Sequence, residues 1–182
     1  FLKYADIILA LTDKYHALVM NPPYMGRGNM NASLSAYLDA YYADAKADLF
    51  STFITLSLEK LVEKGRSGLI TMESWMFLSS FDKLRKNILE NYYISSLGHF
   101  GWYIIGIAFG TVMSIIENAK PKNRTGVFSY LTIEDINNDT GAPYNYPKKD
   151  NGRYAKKSQK NFLNIPGYPI GYWVSETILN HF

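Results

Sequence analysis

The N-terminal part of the chain alternates apolar segments with glycine and proline. Apolar residues recur at near-helical spacing in residues 1–12, which predicts a short helix. Residues 16–20 form a short apolar run that stops before Pro22 and Pro23, a pattern typical of a buried parallel strand. Residues 26–31 contain two glycines and two asparagines and predict a mobile loop.

The middle of the chain continues as alternating helix and strand patterns. Apolar residues repeat at three- and four-residue steps in residues 45–64, and Gly65 is typical of a helix end, so a helix is predicted there. Residues 68–72 predict a second buried strand, and residues 81–89 predict an amphipathic helix. Further strands are predicted over residues 94–100, 111–117 and 126–133. This order predicts an α/β sheet with an antiparallel edge.

The C-terminal part of the chain is more polar. Residues 135–160 are rich in Asn, Gly, Pro and Lys and predict a long loop. Residues 165–169 then predict a rigid turn, and the residues from Tyr172 onward predict a helix. We therefore expect three parts: a main unit over residues 1–134, the polar and basic loop, and the start of a further segment over residues 161–182.

Composition limits the class of protein. The chain has 182 residues, 47% hydrophobic and 19% charged, as in a single folded domain. It has no cysteine, and His16, His99 and His181 are too scattered to form a zinc site, so no metal is expected. No apolar run approaches the roughly 20 residues that span a bilayer, so no membrane is expected. The chain begins with Phe1 and lacks a secretory signal pattern, and we expect part of a longer cytoplasmic protein of bacterial type.

Positive charge is concentrated near the C-terminus, although the net charge is only +3. In residues 148–160 the cations face one acid, Asp150, and alternate with aromatic side chains such as Tyr154. This pattern indicates either a DNA-binding surface or a plain solvated face. The cations of this segment that we predict to contact DNA are Lys148, Lys149, Arg153, Lys156 and Lys157.

The tetrapeptide Asn21, Pro22, Pro23 and Tyr24 follows the first predicted strand directly. In an open α/β sheet, ligands bind beyond the carboxyl ends of the strands, where these residues would lie. A tetrapeptide of this kind is also common in plain turns, so the interpretation depends on the strand before it.

The same residues suit methylation of an aromatic amine. The lone pair of the N6 amine of adenine is delocalised into the ring, so two acceptors that hold its N–H groups can favour a reactive, pyramidal nitrogen. The side-chain oxygen of Asn21 and the carbonyl of Pro22 are suitable acceptors, because proline restricts the backbone. The ring of Tyr24 can stack on the base. We therefore predict that Asn21, Pro22 and Tyr24 are catalytic.

Several stretches resemble N6-adenine-specific DNA methyltransferases. Residues 19–26 resemble their motif IV, Asp48 with the next two residues resembles motif V, and residues 68–80 resemble motif VI. Residues 161–175 are similar to the segment that follows the catalytic domain. The run 68–80 looks most like the BREX phage-defence methyltransferase and the related Type IIG restriction-modification enzymes.

The resemblance implies a fold and a reaction. The fold is the C-terminal, catalytic half of a Rossmann-like class I S-adenosylmethionine-dependent methyltransferase sheet with an antiparallel edge, formed by residues 1–134. The reaction is methyl transfer from S-adenosylmethionine to the N6 amine of adenine in double-stranded DNA, with the adenine flipped out of the helix. The implied partners are this DNA and other proteins of a phage-defence or restriction-modification system.

The resemblance also implies cofactor contacts at Asn21 and Asp48, although Asp48 fits a helix N-cap equally well. Members of the family bind most of the cofactor through a glycine-rich loop before motif IV. Residues 1–20 contain no such loop. We therefore expect the cofactor site to lie largely outside this chain, which would be inactive alone.

The base pocket is expected to include Pro23, Tyr24, Trp75 and Phe77. For Trp75 and Phe77 the sequence favours packing in the core over contact with a base. Arg27, in the loop after the tetrapeptide, is predicted either to contact a DNA phosphate or to be solvated.

Two other functions remain open. Asn-Pro-Pro-Tyr also occurs in methyltransferases that act on glutamine side chains, where the amide nitrogen poses the same electronic problem. A DNA-binding or assembly module could also use this fold without turnover. The long run over residues 72–80 and the basic segment favour a DNA methyltransferase.

Overall fold

The computed structural model describes residues 2–106 and 108–179. His181, and with it the end of the predicted C-terminal segment, lies outside the described residues. The helices are α1 (Leu2–Thr12), α2 (Ala32–Tyr41), α3 (Leu49–Glu59), α4 (Asp82–Asn91), α5 (Lys160–Leu163) and α6 (Glu176–Leu179). The strands are β1 (Tyr15–Met20), β2 (Leu61–Met72), β3 (Tyr93–Phe100), β4 (Thr111–Glu117), β5 (Thr125–Leu131) and β6 (Tyr154–Ser158).

Within the described residues, six strands form one sheet in the order β1-β2-β4-β3-β5-β6. Strands β1 and β2 are parallel, as are β3 and β5. Strand β4 lies inside the sheet and is antiparallel to both of its neighbours, and β6 is antiparallel to β5 at one edge. The predicted α/β class and its antiparallel edge are confirmed. The strand predicted over residues 111–117 is β4, but its antiparallel position inside the sheet was not predicted.

The main core lies against one face of the sheet, beneath α3 and α4. Phe50 and Ile54 of α3 and Ile88 of α4 are completely buried there. Two residues near the C-terminus, Ile170 and Tyr172, belong to the same core, so the chain returns to this face after β6. Burial of such side chains contributes about 1.5–3 kcal/mol each to folding.

The side chain of Arg85 in α4 holds this C-terminal return in place. Its guanidinium is almost fully buried and donates to the backbone carbonyls of Trp75, Leu78 and Gly167. The burial lowers the pKa of Arg85 from its ordinary value. One side chain therefore joins the segment after β2 to the segment after β6.

The prediction that residues 16–20 form a buried strand was right for the strand and wrong for the burial. Among the described residues, strand β1 pairs only with β2, so its other edge has no partner strand there, and the side chain of Val19 is 85% exposed. Burial depends on which strands lie alongside, and a strand's own residues do not determine it.

The predicted helix over residues 45–64 is also wrong at its end. Helix α3 stops at Glu59, and β2 begins at Leu61. Gly65 therefore lies inside a strand and does not end a helix. A Cβ at Gly65 would lie 2.8 Å from the carbonyl oxygen of Tyr15, so glycine is needed there because the two chains approach closely.

Three loop and helix predictions also differ from the structure. Residues 26–31 contain a 3-10 turn, after which Asn31 caps the unpredicted helix α2 by accepting from the backbone N–H of Leu34. The polar segment over residues 135–160 contains β6, which pairs with β5. The helix expected from Tyr172 onward is limited to α6 within the described residues.

Candidate active site

The loop after β1 carries the tetrapeptide beyond the carboxyl end of the strand. Met20, the last residue of β1, lies opposite Leu69 of β2, so the loop begins level with Ile70. Asn21 and Pro23 are exposed, and Pro22 is buried. A buried Pro22 restricts the backbone at the position where the sequence predicts an acceptor carbonyl.

The hydroxyl of Tyr24 contacts the predicted catalytic side chain. It lies 3.0 Å from Oδ1 of Asn21 and 3.2 Å from the carbonyl oxygen of Ile70, and it can donate its one proton to either acceptor. Burial raises the pKa of Tyr24, so the phenol stays protonated at neutral pH. Tyr24 therefore helps to orient the Asn21 amide, a contact that the stacking prediction did not include.

The ring of Tyr24 packs between two other aromatic rings. Its centroid lies 6.0 Å from that of Phe50 and 6.0 Å from that of Phe109, both in edge-to-face geometry. Phe109 belongs to the loop between β3 and β4, so this loop reaches the tetrapeptide across the edge of the sheet. The ring is thereby held in one orientation.

Asp48 forms a hydrogen bond to Met25, the residue that follows the tetrapeptide. Its Oδ1 accepts from the backbone N–H of Met25 at 3.0 Å and from that of Phe50 at 3.2 Å. The backbone N–H of Leu49 donates in turn to the carbonyl of Met25 at 3.0 Å. Asp48 is thus the N-cap of α3, as one of the two predicted alternatives proposed. Its contact with the cofactor stays a prediction.

The side chain of Arg27 forms an ion pair. Its guanidinium contacts the carboxylate of Asp39, which also receives the ammonium of Lys46 at 2.8 Å. Hydrogen bonds from Lys46 and then Arg27 lower the pKa of Asp39. A DNA phosphate at Arg27 would have to compete with this carboxylate.

The residues predicted for the base pocket differ in how far they are exposed. Tyr24 is half-buried, Pro23 is exposed beside it, and Phe77 is 42% exposed. Trp75 is 0% exposed and donates from its indole nitrogen to the hydroxyl of Thr71 at 3.0 Å. The structure therefore packs Trp75 in the core, the alternative that the sequence favoured for it.

A hydrogen-bonded chain of Glu73, His99 and Tyr172 lies at the same edge of the sheet. The imidazole Nε2 of His99 contacts the carboxylate of Glu73, and Nδ1 lies 3.2 Å from the hydroxyl of Tyr172. Burial lowers the pKa of His99, although the nearby Glu73 opposes the shift. A neutral imidazole donates from Nε2 to Glu73 and accepts at Nδ1 from Tyr172.

Sequence reasoning missed this chain, because its members are far apart in sequence and lie in no shared motif. Its one local signal is Gly110, where a Cβ would lie 2.1 Å from the carboxyl carbon of Glu73. Glycine is therefore needed at this position to leave room for the carboxylate.

The predicted DNA-binding cations do not form one uniform surface. Lys148 is paired with Asp135 at 3.1 Å and with Asp150 at 3.3 Å, and these acids raise its pKa. Lys149 and Lys156 are exposed and Lys157 is half-exposed. The guanidinium of Arg153 lies 4.5 Å from the centroid of the Tyr130 ring, at the edge that also carries His99. Arg153 is therefore the cation of this segment that lies near the candidate site.

Residues 2–106 and 108–179 contain no group of three or more His, Cys, Asp or Glu placed to hold a metal ion. None of the helices described there is long and apolar enough to cross a membrane.

The sheet order and the loop at its carboxyl edge define the class I S-adenosylmethionine-dependent methyltransferase fold. The methyltransferase subunit of a type I restriction-modification system from Streptococcus thermophilus superposes with a TM-score of 0.64 at 14% identity. This match covers 88% of the present chain and 38% of the other. The chain belongs to the Eco57I restriction-modification methylase family, whose model matches residues 2–105.

Two curated relatives match most of the chain. The adenine-specific methyltransferase BrxX of Escherichia coli O9:H4 (strain HS) is 31% identical over 172 residues, which is 94% of this chain. The adenine-specific methyltransferase PglX of Lacticaseibacillus casei (strain Zhang) is 32% identical over 173 residues, or 92% of the chain. The chain spans 14% of the length of each relative.

Proposed function

We propose that this chain carries the amine-orienting part of an adenine-specific DNA methyltransferase. The observation that carries the proposal is the contact between Asn21 and Tyr24 at the carboxyl end of β1, which holds the Asn21 amide oxygen beside a restrained Pro22. Relatives described as adenine-specific methyltransferases support adenine as the target base. The match to a restriction-modification methylase family supports a role in restriction-modification or phage defence, and we propose a cytoplasmic location in a bacterium.

The proposed reaction depends on two hydrogen-bond acceptors that hold the N6 nitrogen of adenine. Oδ1 of Asn21 and the carbonyl of Pro22 accept the two N–H groups of the adenine N6 amine, so its lone pair points away from the ring plane. A methyl group supplied by bound S-adenosylmethionine would then bond to N6 while the bonding electrons stay on sulfur, and the cationic nitrogen would release one proton to solvent. Because the acceptors are already in position, catalysis rests on orientation and electrostatics.

This chain is proposed to contain part of the binding site for the methyl donor. S-adenosylmethionine supplies an electrophilic methyl group when it is bound. Asp48 uses Oδ1 for Met25 and Phe50, and Oδ2 has no hydrogen bond to the residues that the structure describes. A free carboxylate oxygen fits a donor group of the cofactor, so Asp48 and Asn21 are the proposed contacts, and the rest of the site is provided by chain outside residues 1–182.

The proposed substrate is double-stranded DNA with the target adenine flipped out, at a cost of a few kcal/mol. Tyr24 is proposed to present its ring to the base, and the exposed side chains of Pro23 and Phe77 are proposed to border the base. The proposed phosphate contacts are Arg27, Lys148, Lys149, Arg153, Lys156 and Lys157. Other proteins of the defence system are proposed as further partners.

The experiment that tests this function is Asn21→Ala in the protein that contains this chain. We expect methyl transfer to adenine in duplex DNA to fall about 100-fold or more, as for loss of an oriented hydrogen-bonding group. DNA binding should be retained. Asn29→Ala, which removes an exposed amide from the adjacent turn, is the matched control.

Three results would contradict the proposal. Methyl transfer by Asn21→Ala at the wild-type rate would remove Asn21 from the mechanism. Methylation of a glutamine-bearing protein in place of adenine by the wild-type protein would assign the same loop to a different substrate. Cofactor and DNA binding with no transfer to either would indicate a non-catalytic module.

A further inference from the structure

We propose that the cavity lined by His99, Arg153 and Trp173 is a second DNA contact, which receives a nucleotide flanking the target adenine. The inference rests on the proposed function and deepens it, because it assigns one of the predicted DNA-binding cations, Arg153, to a specific contact. The phosphate of this nucleotide would bind Arg153, and its base would turn out of the duplex to stack on Trp173.

The cavity has a volume of about 160 Å³ and presents a cation beside an aromatic ring. The Cζ atom of Arg153 lies over the Tyr130 ring, 4.5 Å from its centroid, and this cation–π contact restrains the position of the guanidinium. Within the described residues, no carboxylate lies within 4.0 Å of Arg153, so its N–H groups are not held by an acid. A planar, fixed guanidinium is well suited to bidentate binding of a phosphate.

Trp173 is 52% exposed, although the rings that it contacts, those of His99 and Tyr172, are buried. Its ring centroid lies 5.0 Å from that of Tyr172 and 6.0 Å from that of His99. Tyr172 in turn stacks on Phe128 with the two ring centroids 5.4 Å apart. The exposed indole therefore rests on packed aromatic residues and provides a stacking platform for a base.

His99 forms the wall of the cavity and keeps it rigid. Both of its ring nitrogens are engaged, Nε2 by Glu73 and Nδ1 by Tyr172, so the imidazole is fixed from two sides. The ring of Tyr130 meets His99 edge to face with centroids 5.0 Å apart. Arg153, Tyr130 and His99 thus form one preorganised group, which lowers the entropy cost of binding.

The cavity lies at the carboxyl edge of the sheet, as the tetrapeptide does. His99 is in β3, which is separated from β1 by three strand spacings in the sheet order. At about 4.8 Å per spacing, the cavity is about 14 Å from the Asn21 loop. This is the length of about four stacked nucleotides at 3.4 Å each, so the nucleotide bound here lies about four positions from the target base along the DNA.

Other predicted cations fit this role less well. Lys148 is paired with two acids, and Arg27 is paired with Asp39. A phosphate at either would have to displace a carboxylate. At Arg153 a phosphate adds its contacts to the existing cation–π pair with Tyr130.

The test measures DNA binding by the protein that contains this chain, using a labelled duplex with the target adenine. Arg153→Gln is expected to weaken binding about tenfold and to reduce the salt dependence by about one phosphate contact. Trp173→Ala is expected to weaken binding by a similar factor, and Trp173→Phe to recover most of the loss by keeping a stacking ring. Lys122→Gln removes the same charge at the opposite edge of the sheet and is the matched control.

Duplexes with one neutral methylphosphonate at a time then locate the phosphate. One flanking position is expected to weaken the wild-type protein while leaving Arg153→Gln unaffected. The proposal is overturned if Arg153→Gln binds as Lys122→Gln does, if no phosphate position shows this loss, or if Trp173→Phe binds no better than Trp173→Ala.

Failure of this proposal is distinct from failure of the proposed function. Wild-type protein that methylates adenine, together with an Arg153→Gln variant that binds normally, rejects only the second contact. A weakened Arg153→Gln variant, together with wild-type protein that transfers no methyl group to adenine, rejects only the proposed activity. Wild-type protein that binds no DNA rejects both.

Discussion

The backbone N–H of Met25 donates to Oδ1 of Asp48 at 3.0 Å, which ties the loop after β1 to the start of α3. The same oxygen accepts from the N–H of Phe50 at 3.2 Å. One carboxylate thus caps a helix and fixes the residue next to Tyr24. The position of the loop after β1 therefore depends on a residue 23 positions later in the chain.

Replacing Asp48 should lower stability by an amount typical of a lost N-cap. We expect Asp48→Ala to reduce the free energy of unfolding by about 1–2 kcal/mol, because two backbone N–H groups lose their acceptor. Asp48→Asn, which can still cap, should lose less. Denaturant unfolding measures the change, with Asp44→Ala at an exposed, weakly paired carboxylate as control. Equal losses for Asp44→Ala and Asp48→Ala would contradict the assignment.

Removing the Tyr24 hydroxyl should slow methyl transfer while the ring is retained. Tyr24→Phe deletes the contact to Oδ1 of Asn21 and leaves the packing on Phe50 and Phe109. We expect kcat to fall about tenfold, the effect of one lost hydrogen bond, with little change in DNA affinity. Tyr41→Phe, at an exposed tyrosine, is the control. An unchanged kcat would show that Asn21 is oriented without this hydroxyl.

The buried His99 should make the protein less stable in mild acid. Burial depresses the pKa of His99 below its ordinary value of 6.5, so the unfolded chain binds a proton more readily than the folded one. The stabilisation is fully present above pH 6.5 and is lost as the pH falls toward the depressed pKa. The titratable groups facing the imidazole are Glu73, Tyr130, Arg153 and Tyr172.

Unfolding midpoints at pH 7.5 and pH 5.5 would measure this effect. His99→Gln should flatten the difference between the two pH values, because it removes the titrating group. His16→Gln, at an exposed histidine in β1, should leave the difference as in the wild-type protein. The same pH dependence in His99→Gln as in the wild type would assign it to other groups.

Arg85 should be among the most sensitive positions for folding. Arg85→Met leaves the carbonyls of Trp75, Leu78 and Gly167 without their buried donor. We expect a loss of about 3 kcal/mol in the free energy of unfolding, since unsatisfied buried groups cost about 1–3 kcal/mol each. Lys83→Met, at an exposed position of the same helix, is the control for urea unfolding. A loss below about 1 kcal/mol would indicate that water replaces the guanidinium.

Local sequence patterns were sufficient where the structure depends on neighbours along the chain. The pattern over residues 111–117 predicted β4 with the bounds that the structure shows, because a short apolar run between loops is typical of a strand. The tetrapeptide after β1 was likewise placed correctly at the end of a strand. Its resemblance to motif IV pointed to the methylase family that the family model confirms. The catalytic roles of its residues stay a prediction.

Tertiary structure decided the features that depend on distant neighbours. Gly65 was predicted as a helix end and lies in a strand, because its environment is set by the backbone of Tyr15. The sequence could not show that β1 has one partner strand among the described residues, since burial depends on the strands alongside. His99 contacts Glu73 and Tyr172 across 26 and 73 residues, and no periodic pattern reaches that far. The sequence alone therefore determined the family and the tetrapeptide loop, and the packing of distant segments determined which side chains surround that loop.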